Sequence, residues 1–128
     1  MIGCDVVDVF RIEKILLKNK TRFLNKIFTK EELQYLNLKP ESIAGYYAAK
    51  EAASKALGCG ICDICTFYDI IICKDNKNKP SIVFSNKVNN KFMIKKAHLS
   101  ISHDAGVAMA VVFLEYFNEW IFKVIKRK

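Results

Sequence analysis

Long apolar runs are missing from this chain. The longest, Ala105 to Leu114, is too short to cross a bilayer. No export signal is visible either, so no leader is expected. The N-terminus reads Met-Ile-Gly-Cys-Asp-Val-Val-Asp, with Asp5 and Asp8 where such a signal needs a basic and then an apolar stretch. Acidic residues are scarce: 13 Asp and Glu stand against 21 Lys and Arg, a net charge of +8. That balance draws acidic partners, whether nucleic acid, anionic membrane, phosphorylated ligand or acidic protein, and charge alone does not choose among them. Repeats, low-complexity tracts and linkers are absent, so the 128 residues read as one domain with room for a core. A hydrophobic fraction of 52% excludes a disordered or fibrous chain.

The five cysteines are an odd number and cannot all pair within the chain. Together with the absence of a visible export signal they point to a cytoplasmic protein with reduced thiols. Cys59, Cys62 and Cys65 form a C-x-x-C-x-x-C pattern. Ferredoxins continue such a run with three residues and Cys-Pro, whereas here Thr66, Phe67, Tyr68 and Asp69 follow. A zinc site would want a fourth ligand, for which Cys73 is available but sits in an expected strand. A thiolate metal protein is therefore one rival reading. A basic nucleic-acid-binding module is another, but no RNA- or DNA-binding signature is present and nucleic acid is not expected as a partner.

Local pattern divides the chain into helices first and strands later. Ile2 to Val9 is β-branched and reads as a strand, with Asp8 placed to cap a helix carrying Ile12, Ile15, Leu16 and Phe23. Thr29 and Glu32 have capping-box spacing for a short helix up to Leu38. Pro40-Glu41-Ser42 opens an alanine-rich helix that stops at Gly58. Phe67 to Lys74 and Ser81 to Phe84 read as strands around a turn ending in Lys79-Pro80. Ala97 to Ser102 and Val107 to Phe113 add two more. The fold class is α+β.

Three places could do chemistry. Asp5 lies between apolar residues; it either faces outward or, if buried, needs a cation or hydrogen-bond donors. Glu51 and Lys55 are four apart on the alanine-rich helix and could form a plain surface ion pair. Yet Tyr47, Glu51, Ser54, Lys55 and Gly58 share one helical side, and a carboxylate and an ammonium there could hold a cation and a phosphate together. Ser102, His103 and Asp104 crowd the end of a strand, where a histidine can cap a turn or donate to a phosphate.

Five blocks then resemble one family. Ile2-Gly3-Cys4-Asp5-Val6-Val7 with Arg11-Ile12 is similar to the N-terminal block of the holo-acyl-carrier-protein synthases. Phe28-Thr29 with Glu32, Tyr47 to Ala52 with Lys55-Ala56 and Gly58-Cys59-Gly60-Ile61, Lys79-Pro80, and Leu99 to Asp104 resemble the blocks that follow, in order. The resemblance implies the 4'-phosphopantetheinyl transferase fold, an antiparallel sheet packed with a long helix. It implies transfer of phosphopantetheine from coenzyme A to a serine of apo acyl carrier protein, leaving adenosine 3',5'-bisphosphate, for fatty acid biosynthesis. It also implies Mg²⁺ held by Asp5 and Glu51. Lys55 would act on the diphosphate, and Gly58, Ser102 and His103 would hold the nucleotide with it. Glu51, through a water on the cation, is the candidate base, and His103 is placed with Glu51 and Lys55 as catalytic. Arg11 would dock the acidic carrier protein, and the enzyme would be a homotrimer with sites between subunits. Three positions depart from the family: Tyr46 replaces Arg, Cys59 replaces Thr and Asn78 replaces Gly.

The resemblance covers residues 1–113. Residues 114–128 carry Leu114, Phe117, Ile121 and Val124 on one helical stripe, extended by Trp120, and end in Lys126-Arg127-Lys128. They read as an amphipathic helix extending the same domain. Packing on the protein's own surface fits this segment. So does lying on an anionic membrane, although Glu115 and Glu119 oppose it and a membrane partner is not expected.

Overall fold

The computed structural model describes residues 1–117. Strand β1 (Ile2–Asp8) runs directly into helix α1 (Val9–Ile27). Asp8 makes that junction: its carboxylate accepts the Phe10 N–H at 2.9 Å, satisfying a donor the first helical turn would leave orphaned. Asn19 leaves helical geometry (φ −149°, ψ 60°) and kinks α1. The expected capping box starts α2 (Lys30–Tyr35), with Thr29 N–H donating to Glu32 Oε1 at 2.9 Å and Glu32 N–H to Thr29 Oγ1 at 3.2 Å. Helix α3 (Pro40–Leu57) has Pro in its first turn and stops at Gly58, whose φ of +85° suits a residue without Cβ.

Three antiparallel strands form the main sheet in the order β1–β5–β4, where β4 is Ile94–Asp104 and β5 is Val107–Tyr116. Ala105 and Gly106, both at positive φ, close the β4–β5 hairpin in the turn geometry that matches strand twist. Strands β2 (Ile70–Lys74) and β3 (Pro80–Phe84) pair as a separate hairpin. Its turn is held by Asp75, whose carboxylate accepts from the Lys77 and Lys79 amides at 2.8 Å. Asn78 sits there at φ +62°, a left-handed position that Asn tolerates nearly as Gly does, so Asn fits where the resemblance leads one to expect Gly.

Helix α3 covers one face of the main sheet. Gly3 and Val7 of β1 face it beside Val112 and Ala108 of β5, in register. A Cβ on Gly3 would lie 2.0 Å from the Ala52 carbonyl oxygen, so glycine lets strand and helix backbones touch. The alanines complete that close approach: Ala48, Ala49, Ala52 and Ala53 are fully buried. The opposite face of the sheet is uncovered and includes an apolar patch, with Ile2 67%, Val6 59% and Phe113 46% exposed.

The strand-and-helix pattern follows the sequence, with three corrections. Phe67–Asp69 is a turn of 3-10 helix, because Thr66 and Asp69 bond each other's ends as a capping box before the strand begins. A helix α4 (Asn86–Phe92) lies where the sequence shows no apolar stripe; it is capped by Ser85. Strand β5 runs on through Tyr116, with Leu114 buried in the sheet, so the boundary at 113/114 and a helix beginning at Leu114 do not hold. The rest of that segment, Trp120 and the basic end included, lies outside the described residues. Among the described residues no helix is long and apolar enough to cross a membrane.

Candidate active site

The close contact between β1 and α3 decides where the carboxylates go. Asp5 lies on the α3-facing side of β1, between Gly3 and Val7. Lys55, in the last turn of α3, reaches back to it: Nζ is 2.8 Å from Asp5 Oδ1 and 3.2 Å from the Cys4 carbonyl oxygen. The ion pair formed by Lys55 is thus with Asp5, not a surface pair with Glu51. Asp5 is 16% exposed and the lysine 50%, so the lysine can exchange partners. The hydrogen bond to Asp5 holds the Lys55 pKa above its ordinary value, against the opposing effect of burial and with help from the Asp5 and Glu51 charges.

Glu51 stands one turn before Lys55, beside the Tyr47 side chain. Burial first, and then the Glu51 carboxylate, pushes the Tyr47 phenol up. Asp5, Asp8, Arg11, Lys26, Tyr47 and Glu51 line one cleft of about 430 Å³, with Phe23 and Phe67 among its apolar walls. It therefore brings three carboxylates and two cationic side chains around a space open to solvent. Arg11 is exposed at its edge, as is Lys26, which sequence reasoning missed.

Other expected residues lie elsewhere. Ser54 is buried and its hydroxyl donates to the Glu51 carbonyl at 2.7 Å, so it does not face the cleft. Gly58 is the C-cap of α3, its N–H donating to the Lys55 carbonyl at 2.9 Å. A helix C-terminus repels anions, so a phosphate near Gly58 depends on Lys55. Ser102 pairs with Met109 on the uncovered sheet face. His103 lines a different hollow, with Glu13, Glu41, Val9 and Phe10. Within one chain, neither Ser102 nor His103 lines the cleft that holds Asp5 and Glu51.

Tyr46, where the resemblance leads one to expect arginine, is core: it meets Phe28 edge-on, with the Lys74 ammonium 5.6 Å over its ring. Among the described residues no three His, Cys, Asp or Glu side chains are grouped to hold a metal ion. The metal-ligand pair expected at Asp5 and Glu51 is a pair of carboxylates on one cleft.

The family model for the 4'-phosphopantetheinyl transferase superfamily matches residues 1–112. The chain belongs to that superfamily. Among this transferase's relatives, a holo-[acyl-carrier-protein] synthase of Campylobacter lari is 54% identical over 115 residues, covering 90% of this chain and 98% of the relative. The solved structure of Helicobacter pylori holo-[acyl-carrier-protein] synthase, in complex with coenzyme A, is 44% identical. It superposes with a TM-score of 0.86 over 90% of this chain and all of that one. A Bacillus anthracis holo-(acyl-carrier-protein) synthase, in complex with CoA, is 38% identical with a TM-score of 0.75, covering 91% and 96%. These matches span the described fold of the transferase, from β1 to β5.

Proposed function

We propose that the chain is a holo-acyl-carrier-protein synthase that moves phosphopantetheine from coenzyme A to a serine of apo acyl carrier protein. The observation that carries this reading is the cleft lined by Asp5 and Glu51, with Lys55 paired to Asp5, in a chain about half identical to a protein of that name. The serine oxygen forms a bond to the phosphorus next to pantetheine. The diphosphate bond breaks, and adenosine 3',5'-bisphosphate leaves with the electron pair. Such a transfer needs alignment and charge neutralisation more than covalent help from the protein. Lys55, half exposed, offers an ammonium for the charge that grows on the leaving phosphate. Glu51 is the candidate acceptor for the serine proton.

Mg²⁺ fits the donor set. It prefers one or two carboxylates with waters and substrate phosphate oxygens, and Asp5 and Glu51 are two carboxylates on one solvent-open cleft. When bound it would neutralise diphosphate charge. Lys55 would then turn from Asp5 toward the phosphates, a move its exposure permits. Arg11, with Lys26 beside it, gives the cleft edge a positive face for an acidic carrier protein.

The working unit is a homotrimer with sites shared between subunits. Two observations support this. The uncovered sheet face is apolar over Ile2, Val6, Met109 and Phe113, as expected of a surface that is buried in an assembly. His103 and Ser102 are away from the Asp5 cleft of their own chain, so a nucleotide held by both sets requires two copies.

Mass spectrometry of apo acyl carrier protein incubated with the protein, coenzyme A and Mg²⁺ tests the activity. A phosphopantetheine adduct on the carrier serine, absent when chelator replaces Mg²⁺, is the expected result. An unmodified carrier protein at high enzyme concentration would refute it.

A further inference from the structure

The loop leaving α3 carries a Cys-x-x-Cys pair that phosphopantetheine transfer does not use. Cys62 and Cys65 close a tight turn over Asp63 and Ile64. Cys62 N–H donates to the Cys65 carbonyl at 3.0 Å, and Cys65 N–H to the Cys62 carbonyl at 3.1 Å. Residues that exchange both backbone bonds stand directly opposite each other, with Cα atoms about 5.5 Å apart and side chains on one face. That spacing lies within the range a disulfide spans. The turn is pinned at its tip, where the Lys87 ammonium donates to the Asp63 carbonyl at 3.2 Å.

The two thiols differ in access. Cys62 is exposed and Cys65 is fully buried. An oxidant in solution therefore meets Cys62, and Cys65 is reached only from within the turn. Cys59 is half-buried and turned back to α3, its thiol donating toward the Ser54 carbonyl at 3.9 Å. Cβ atoms of opposed residues lie about 4.5–5.5 Å apart, whereas a relaxed disulfide wants about 3.8 Å. Closing the bond thus pulls the turn together, and a strained bond is readily reduced. So short a loop also gains little from the chain entropy that a cross-link removes. Both facts favour a reversible pair over a permanent staple.

We propose that Cys62 and Cys65 form a reversible redox site whose oxidant is a low-molecular-weight disulfide. In the first step the Cys62 sulfur bonds to one sulfur of that disulfide. The S–S bond of the oxidant breaks, and one small thiol leaves with the proton that Cys62 gave up. In the second step the Cys65 sulfur bonds to the Cys62 sulfur. The mixed disulfide breaks, and the second small thiol leaves with the Cys65 proton. The two cysteines are together oxidised by two electrons, and one small disulfide is reduced to two thiols. Excess small thiol runs both steps backward. The proposal stands on the loop alone and is independent of the transferase activity.

The test is mass mapping of the full-length protein after treatment with excess glutathione disulfide. Cleavage after Lys55 and before Asp63 and Asp69 puts Cys62 on peptide 56–62 and Cys65 on peptide 63–68. The expected product is these two peptides joined and two hydrogens lighter, separated again by reduced glutathione. Cys59→Ser should keep the joined product and Cys62→Ser should abolish it. Cys65→Ala should stop at the first step, with one glutathione held on Cys62. A bond within peptide 56–62, a first adduct at Cys4 or Cys73, or thiols that stay unmodified would overturn the assignment. Cys62→Ser changes an exposed side chain, and a melting curve on it and on Cys65→Ala confirms that the loop is tested on a folded protein.

Discussion

Lys50 and Lys55 lie on the same helix, and each sits 2.8 Å from a carboxylate. Their surroundings separate them. Lys50 and its partner Glu32 are both 0% exposed. The Lys50 ammonium spends its three donors on Glu32, on the Ile27 carbonyl at 2.9 Å and on the Phe67 carbonyl at 3.0 Å. Glu32 in turn accepts from the Thr29 and Ile72 amides. That network ties the end of α1, the start of α2, the 3-10 turn and β2 to α3. Lys55 and Asp5 make the same contact at the protein surface, with a donor to spare. Distance alone does not tell an architectural ion pair from a chemical one; the freedom to change partners does.

Breaking the buried pair should give the largest effect. Glu32→Ala strands a buried ammonium and should cost about 3–5 kcal/mol of stability, read from urea denaturation. Burial already pushes the Lys50 pKa down against the pull of Glu32, so removing Glu32 removes what keeps the lysine charged. A loss of catalysis with stability intact would reverse the roles assigned to the two lysines.

Lys55→Ala should do the opposite. The exposed pair contributes at most about 1 kcal/mol to stability, so melting should change little. Turnover should fall by about 2–4 kcal/mol of transition-state stabilisation, with kcat lowered more than the KM for coenzyme A is raised. An effect confined to KM would make Lys55 a binding residue only.

Asp69 and Lys87, 3.1 Å apart with the carboxylate 13% exposed, fall between these cases. Burial works to raise the Asp69 pKa. The Thr66 amide, the Ser85 hydroxyl, the Lys87 ammonium and the Thr66 hydroxyl outweigh it and bring the carboxyl to about 2. A depressed carboxyl stabilises the fold above its unfolded pKa, and the benefit is lost as pH falls. Stability held by Asp69 should therefore be complete above about pH 4 and vanish toward about pH 2. Asp69→Asn should flatten that part of the acid limb by about 2 kcal/mol or less, measured by denaturation at several pH values.

Much of the fold is legible in the sequence because its boundaries are chemical. Asp8, the Thr29–Glu32 box, Pro40 and Gly58 mark their helix ends by side-chain type alone. Helix α4 is not legible, since Asn-Lys-Val-Asn-Asn-Lys-Phe buries only Val88 and has no apolar period to read. The end of β5 was obscured because Leu114 and Phe117 fit a helical spacing while Leu114 and Tyr116 fit alternation, and the sheet register decides for the strand. At the site, Asp5, Glu51 and Lys55 were readable as charged residues in apolar settings. That Lys55 bonds Asp5, and that Lys50 meets Glu32, are contacts between distant segments that no local pattern encodes. The resemblance groups His103 with that cleft, yet in its own chain His103 lines another hollow.

Glu51→Gln tests the central claim most directly, because it keeps the side chain's shape and removes only its charge. Turnover and melting should be measured on the same sample at saturating Mg²⁺ and coenzyme A. The account predicts a nearly abolished transfer rate with an unchanged melting temperature. Near-normal turnover would contradict it, and would take the chemistry away from the cleft between β1 and α3.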